Sequence, residues 1–74
     1  MELRYKRQVE RFGLKVKQLR KSRALTQQEL AYKCEVDIRT IQRIEKGDSG
    51  VGLYILFAIA DAFELSIPQL MSGI

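Results

Sequence analysis

Residues Leu25 to Gly47, LTQQELAYKCEVDIRTIQRIEKG, decide the fold, because they write two short helices with almost nothing between them. Thr26 is an N-cap: its hydroxyl can accept from the backbone N–H of Glu29, while the Glu29 carboxylate reaches back to the Thr26 amide. A helix is therefore predicted to start near Gln27. Its apolar positions Leu30, Ala31 and Cys34 recur at intervals of three and four, the spacing of one helix face. Asp37 opens the next helix. Only Glu35 and Val36 separate it from Cys34, so the two helices must meet at a steep angle with Val36 in the corner. Ile41 and Ile44 fall on the inner face. At about 100° per residue, Arg39, Gln42, Arg43 and Lys46 fall roughly opposite, toward solvent or a partner. Gly47 ends the helix, since glycine readily takes the left-handed conformation that closes a C-terminus.

Two helices, a tight corner and arginine on the outer face of the second helix are the pattern of a DNA-reading helix-turn-helix. Composition is consistent with it. Seventy-four residues make one domain, and a chain this short hides only about 60% of its unfolded surface, so its core is small and its stability marginal. With 46% hydrophobic and 30% charged residues the composition is that of an ordinary soluble globular protein. No segment has the length of apolar sequence that a membrane span needs, and MELRYKRQVE lacks the apolar core of a signal peptide. One cysteine and no histidine exclude a disulfide framework and an ordinary zinc site, and they remove the usual general base. No cofactor, metal, membrane or small-molecule ligand is expected, and a reducing cytoplasm fits best.

Charge is uneven along the chain. Residues 1 to 23 hold nine Lys or Arg against two acids, residues 24 to 46 four against four, and residues 47 to 74 three acids and no base. The net charge of +4 is thus an N-terminal feature. Such a patch suits a polyanion, because each neutralised phosphate releases condensed counterions. A solvated helix face would have the same composition, and the helix-turn-helix is what favours the polyanion.

The rest of the chain is organised around that motif. Val9, Phe12, Val16 and Leu19 predict a first helix from about Gln8 to Ser22, with Lys15, Lys17, Arg20 and Lys21 around the remaining surface. Residues 1 to 7 are expected to form a loose basic arm and residues 8 to 74 the single domain. Asp48 to Gly52, DSGVG, reads as a loop. A fourth helix, LYILFAIADAF, has Leu53, Leu56, Ala60 and Phe63 as its expected core stripe, and its apolar character extends to Tyr54, Ile55 and Ala58. Ser66 with Gln69 predicts the start of a short fifth helix, Pro68 being tolerated in the first turn. Ile67 and Leu70 should close the core.

From about Phe12 to Leu70 the chain resembles the phage Cro and repressor type of helix-turn-helix proteins, the XRE family. The resemblance rests on FGLKVKQLRKSRALTQ, on QELAYK, on V-D-x-x-T-I-x-R-I-E-K-G and on L-x-x-L-x-x-I-A-D-A-F-x-L-S-I-P-Q-L. It implies an all-α, compact five-helix domain of the lambda-repressor-like kind, with helix 3 in the DNA major groove. It also implies regulation of transcription, commonly repression, by a homodimer on a palindromic operator, in a bacterial or phage setting near the nucleoid.

Under the resemblance Ile38, Arg39, Gln42 and Arg43 occupy the positions that face base edges. Either arginine could hold guanine O6 and N7, and Ile38 could meet a thymine methyl. Gln27 occupies the position that approaches the DNA backbone, where a helix N-terminus favours phosphate. Thr40, Lys46 and Lys17 are further phosphate-binding candidates. Arg20 and Glu45 match a pair that ties helix 1 to helix 3, a structural role. Tyr54, Ile55 and Ala58 are the candidate dimer interface. The chain departs from the family at Glu35, where glycine is usual, which implies a positive φ costing about 1 kcal/mol or a reshaped corner. Val51 and Gly52 replace a proline and serine before helix 4, and Cys34, in place of leucine, reads as a small buried hydrophobe.

Two other functions compete. The fold can serve as a protein-interaction module, for instance an antitoxin-like partner, using the apolar helix 4 surface; strong salt dependence of duplex binding separates this reading from the first. An enzyme is the remaining alternative, but the sequence has no phosphate loop, metal cluster or nucleophile with its base, and Asp61 with Glu64 is more simply a solvated helix edge.

Overall fold

Five helices follow one another in the predicted order: α1 Lys6–Ser22, α2 Gln27–Cys34, α3 Ile38–Lys46, α4 Leu53–Ala62 and α5 Ile67–Met71. The computed structural model describes residues 4–48 and 50–74, and these contain no strand. α1 begins two residues ahead of the predicted start, so Lys6 and Arg7 are helical rather than part of a loose arm. Tyr5 at its N-cap makes no side-chain capping bond, which leaves the sequence without a mark for that boundary. Met1 to Leu3 of the expected arm, and Ser49 of the expected loop, lie outside the described residues.

The helix starts are fixed by local hydrogen bonds. Thr26 accepts from the Glu29 N–H at 3.0 Å and its own N–H donates to the Glu29 carboxylate at 2.8 Å. Ser66 and Gln69 repeat the box at 3.2 and 2.8 Å, and Asp37 accepts from the Thr40 N–H at 3.0 Å. The first four helix ends share one device. Ala24, Glu35, Gly47 and Glu64 take left-handed backbone, and the N–H of the next residue bonds to the carbonyl five positions back. These bonds, Leu25 to Arg20, Val36 to Ala31, Asp48 to Arg43 and Leu65 to Ala60, span 2.9 to 3.1 Å. The turn also folds Leu25, Val36 and Leu65 onto the core. Glu35, at φ 57°, therefore adopts the positive φ anticipated for it.

The core takes Phe12 and Val16 from α1, Leu30, Ala31 and Cys34 from α2, Ile41 and Ile44 from α3, Ile59, Ala60 and Phe63 around α4, and Leu70 from α5. α1 and α2 both pack on α3, α2 also packs on α4, and α4 packs on α5. One expectation is corrected. Leu53 is 73% exposed, and the α4 stripe runs instead through Leu56, Ile59, Ala60 and Phe63. α4 is apolar nearly all round, so its pattern selects no single face, and Leu53 lies at the first helical position, where no neighbouring element covers it.

The close crossing of α1 and α3 depends on two glycines. A Cβ at Gly13 would overlap the carbonyl oxygen of Ile44, and a Cβ at Gly47 would stand 2.9 Å from Cα and Cγ of Glu10. Two cations of the basic first helix region act as internal ties. Lys15 Nζ donates to the carbonyls of Gln69 at 2.7 Å and Ser72 at 2.8 Å, holding the end of α5. Arg23 donates to the Phe63 carbonyl at 3.0 Å and lies over the Phe63 ring, 5.1 Å from its centre.

Candidate nucleic-acid interface

α3 is presented to solvent by a buried polar anchor behind it. Arg20 of α1 grips the Glu45 carboxylate with two prongs, Nε to Oε2 at 2.7 Å and Nη2 to Oε1 at 3.1 Å. Its third donor, Nη1, reaches the Leu25 carbonyl at 2.8 Å. The two side chains are only 10% and 3% exposed. The Glu45 hydrogen bond raises the Arg20 pKa above its ordinary value, against the opposing effect of burial, so the guanidinium stays charged. Gln27 joins the pair by donating Nε2 to Glu45 Oε1 at 3.1 Å. One carboxylate thus ties α1, the start of α2 and the end of α3 together, and no buried side-chain polar atom among the described residues is left without a partner.

With Ile41 and Ile44 in the core and Glu45 turned inward, the outer face of α3 carries Arg39, Gln42, Arg43 and Lys46, all exposed. Ile38 is half-buried and packs on the core, so only part of it remains on that face. Thr40 is half-buried, and its hydroxyl donates to the Asp37 carboxylate at 3.2 Å. Lys17 is exposed on α1. Gln27 is half-buried with its amide bonded to Glu45, which leaves the backbone N–H groups of Gln27 and Gln28 as the donors of the first α2 turn. There the Glu29 carboxylate is held below its ordinary pKa, first by the backbone N–H of Thr26 and then by the Thr26 hydroxyl.

The second surface lies on α4. Tyr54 is 73% exposed, whereas Ile55 and Ala58 are half-buried against the core. Leu53 and Phe57, at 73% and 58%, complete the exposed apolar stripe, and neither stood among the interface candidates. Phe57 lies three positions from Tyr54, a spacing that could have identified it. A shallow groove between α2 and α4 borders the stripe, with Lys33, Glu35 and Asp61 on its walls. Cys34 faces this groove from the core, and burial first, then the Asp61 charge, push its thiol pKa up, so it stays a neutral hydrophobe.

Comparison with known proteins agrees with this architecture. The helix-turn-helix family HTH_3 matches residues 16–70. The restriction-modification controller protein C.AhdI from Aeromonas hydrophila is 26% identical, with a TM-score of 0.80 over 84% of this chain and 94% of that one. The competence regulator ComR from Streptococcus vestibularis is 28% identical with a TM-score of 0.81, covering 89% of this chain and 22% of that one. An HTH_3 family transcriptional regulator from Vibrio cholerae is 29% identical with a TM-score of 0.77, covering 93% and 37%. No curated protein sequence matches the chain. The sequence match over most of its length and the five-helix geometry together make the chain a member of the HTH_3 helix-turn-helix family, of the XRE type.

Proposed function

We propose that the chain is a sequence-specific, double-stranded-DNA-binding regulator of transcription, a repressor that acts as a homodimer on a palindromic operator. The observation that carries this reading is the outward face of α3: two arginines, a glutamine and a lysine, all exposed, on a helix held from behind by the buried Arg20–Glu45 pair. A rigid helix presenting bidentate donors matches base-edge recognition in the major groove. Arg39, Gln42, Arg43 and the exposed part of Ile38 read base edges. The first turn of α2 at Gln27, with Thr40, Lys46 and Lys17, contacts phosphates. The relatives named as regulators support the regulatory role.

The dimer forms through α4, where Leu53 and Phe57 extend the candidates Tyr54, Ile55 and Ala58 into a larger apolar surface. Selecting duplexes from a random pool with the purified protein tests the function and the symmetry at once. A palindromic consensus bound with steep salt dependence is the expected result. Enrichment of no sequence, with salt-insensitive duplex binding, favours the protein-interaction reading.

A further inference from the structure

The cations of the first helix region fall into two groups. Lys15, Arg20 and Arg23 are engaged inside the molecule, by the α5 carbonyls, by Glu45 and by Phe63. Arg4, Lys6, Arg7, Arg11, Lys17 and Lys21 are exposed and make no side-chain hydrogen bond or ion pair among the described residues, and of these Lys6, Lys17 and Lys21 share one edge of α1. Their position on α1 is not arbitrary. Gly13 marks the line along which α1 touches α3, and at about 100° per residue Lys6, Lys17 and Lys21 follow one another just outside that line, on the side away from the core. The α3 atoms nearest Gly13 are the carbonyls of Ile44 and Glu45, so these lysines border the C-terminal end of α3, which carries Arg43 and Lys46.

Two contacts ten residues apart on α1 hold it to the C-terminal end of α3. Glu10 stands against Gly47 at the C-terminal end of α3, and Arg20 meets Glu45 beside the start of α2. Glu10 is the acid on this edge, and its stem is packed on Gly47. Lys6 and Arg7 also occupy the first turn of α1, which has no acidic residue, so these cations sit at the positive end of the helix dipole, an unfavourable place that an anion would relieve.

We propose that Lys6 and Lys21 extend the phosphate contact of Lys17 into a track along this edge of α1, which grips the DNA backbone outside the base pairs that α3 reads. Lys6 to Lys21 covers about 22 Å of helix, long enough to reach several phosphates of one strand. The track sets affinity and seating of α3 and carries no sequence information of its own. This inference rests on the proposed reading of duplex DNA.

The test is a salt titration of binding to the duplex selected by the parent protein, compared among the parent, the triple variant Lys6→Gln, Lys17→Gln, Lys21→Gln, and Arg11→Gln, which removes one charge from the opposite flank of α1. Circular dichroism melts check that each variant folds. The triple variant is expected to reduce the slope of log K against log salt by about 2.7 per protomer, about 5.4 for a bound dimer, from about 0.9 per lost contact, while the selected consensus stays the same. Arg11→Gln is expected to leave the slope unchanged. A folded triple variant with the parental slope, or one no flatter than Arg11→Gln, overturns the track and leaves base reading by α3 intact. A parent that binds no duplex in a salt-dependent way overturns both.

Discussion

Gly13 of α1 lies so close to the backbone carbonyl of Ile44 in α3 that no Cβ fits between the two helices unless one of them moves. The consequence runs against helix propensity. In an isolated helix alanine is favoured over glycine by about 1 kcal/mol. Here the clash is with backbone, and overpacking typically costs about 1–3 kcal/mol and sometimes more. Gly13→Ala is therefore expected to destabilise the domain by up to about 2 kcal/mol net, at roughly 4–8 °C in Tm per kcal/mol for a domain of this size. A variant as stable as the parent would mean that α1 can slide away from α3 without cost.

Glu45 is the hub of the second contact between these helices, bonded by both Arg20 prongs and by Gln27. Removing one member of a buried pair leaves the other charge unpaired, which costs about 3–5 kcal/mol. Glu45→Ala is expected to lower stability by that amount in denaturant titrations. If it melts within a degree or two of the parent, the pair contributes nothing net.

The sequence made the motif legible and left the seams between helices obscure. Thr26, Asp37, Gly47 and Ser66 announce their own boundaries because a cap is a local bond between near neighbours. The Arg20–Glu45 pair and the exposed face of α3 were also readable, the first by family resemblance and the second by periodicity. Gly13 and Lys15 were not. Their roles depend on residues 31 to 57 positions away, and nothing in the local pattern encodes such a contact. Leu53 and Phe57 were misplaced or missed for another reason, since a helix apolar on every side does not state which side is inward.

Ala24 ends α1 in left-handed backbone at φ 55°. An L-residue there costs about 1–2 kcal/mol in the folded chain, and glycine removes most of this while adding some unfolded-state entropy. Ala24→Gly is expected to stabilise the protein by up to about 1 kcal/mol, opposite in sign to the effect of the same change inside a helix. Its denaturant midpoint should rise, and a lowered midpoint would show that the turn is not strained.

The Thr26 cap gives a pH dependence of known sign. The Glu29 carboxylate is held below its ordinary pKa by the Thr26 N–H and hydroxyl. A depressed acid contributes stability that is fully present above its unfolded value, about 4.3, and is lost as pH falls through the lower folded value. Glu29→Gln keeps an acceptor for the Thr26 N–H but no charge. Between about pH 5 and pH 3 its stability is expected to fall less steeply than that of the parent. Parallel acid melts for the two proteins would show that the charge on Glu29 is immaterial.

Arg39 and Arg43 stand on the exposed face of α3, whereas Lys46 lies at its last helical position. Base-edge contacts discriminate among sequences, while phosphate contacts mainly seat the protein, so the two kinds of substitution should have different signatures. Arg39→Ala and Arg43→Ala are each expected to lose about 1–3 kcal/mol on the selected site and to flatten preference at particular base pairs. Lys46→Ala should weaken binding to every sequence about equally and lower the salt slope by about one unit per protomer. In a homodimer the affected base pairs should appear twice, in half-sites one helical turn or about 34 Å apart. Competition binding against single-base variants of the site measures the changes in preference, and a salt titration measures the slope. A double Arg39→Ala, Arg43→Ala variant with parental affinity and preference would place base reading somewhere other than α3.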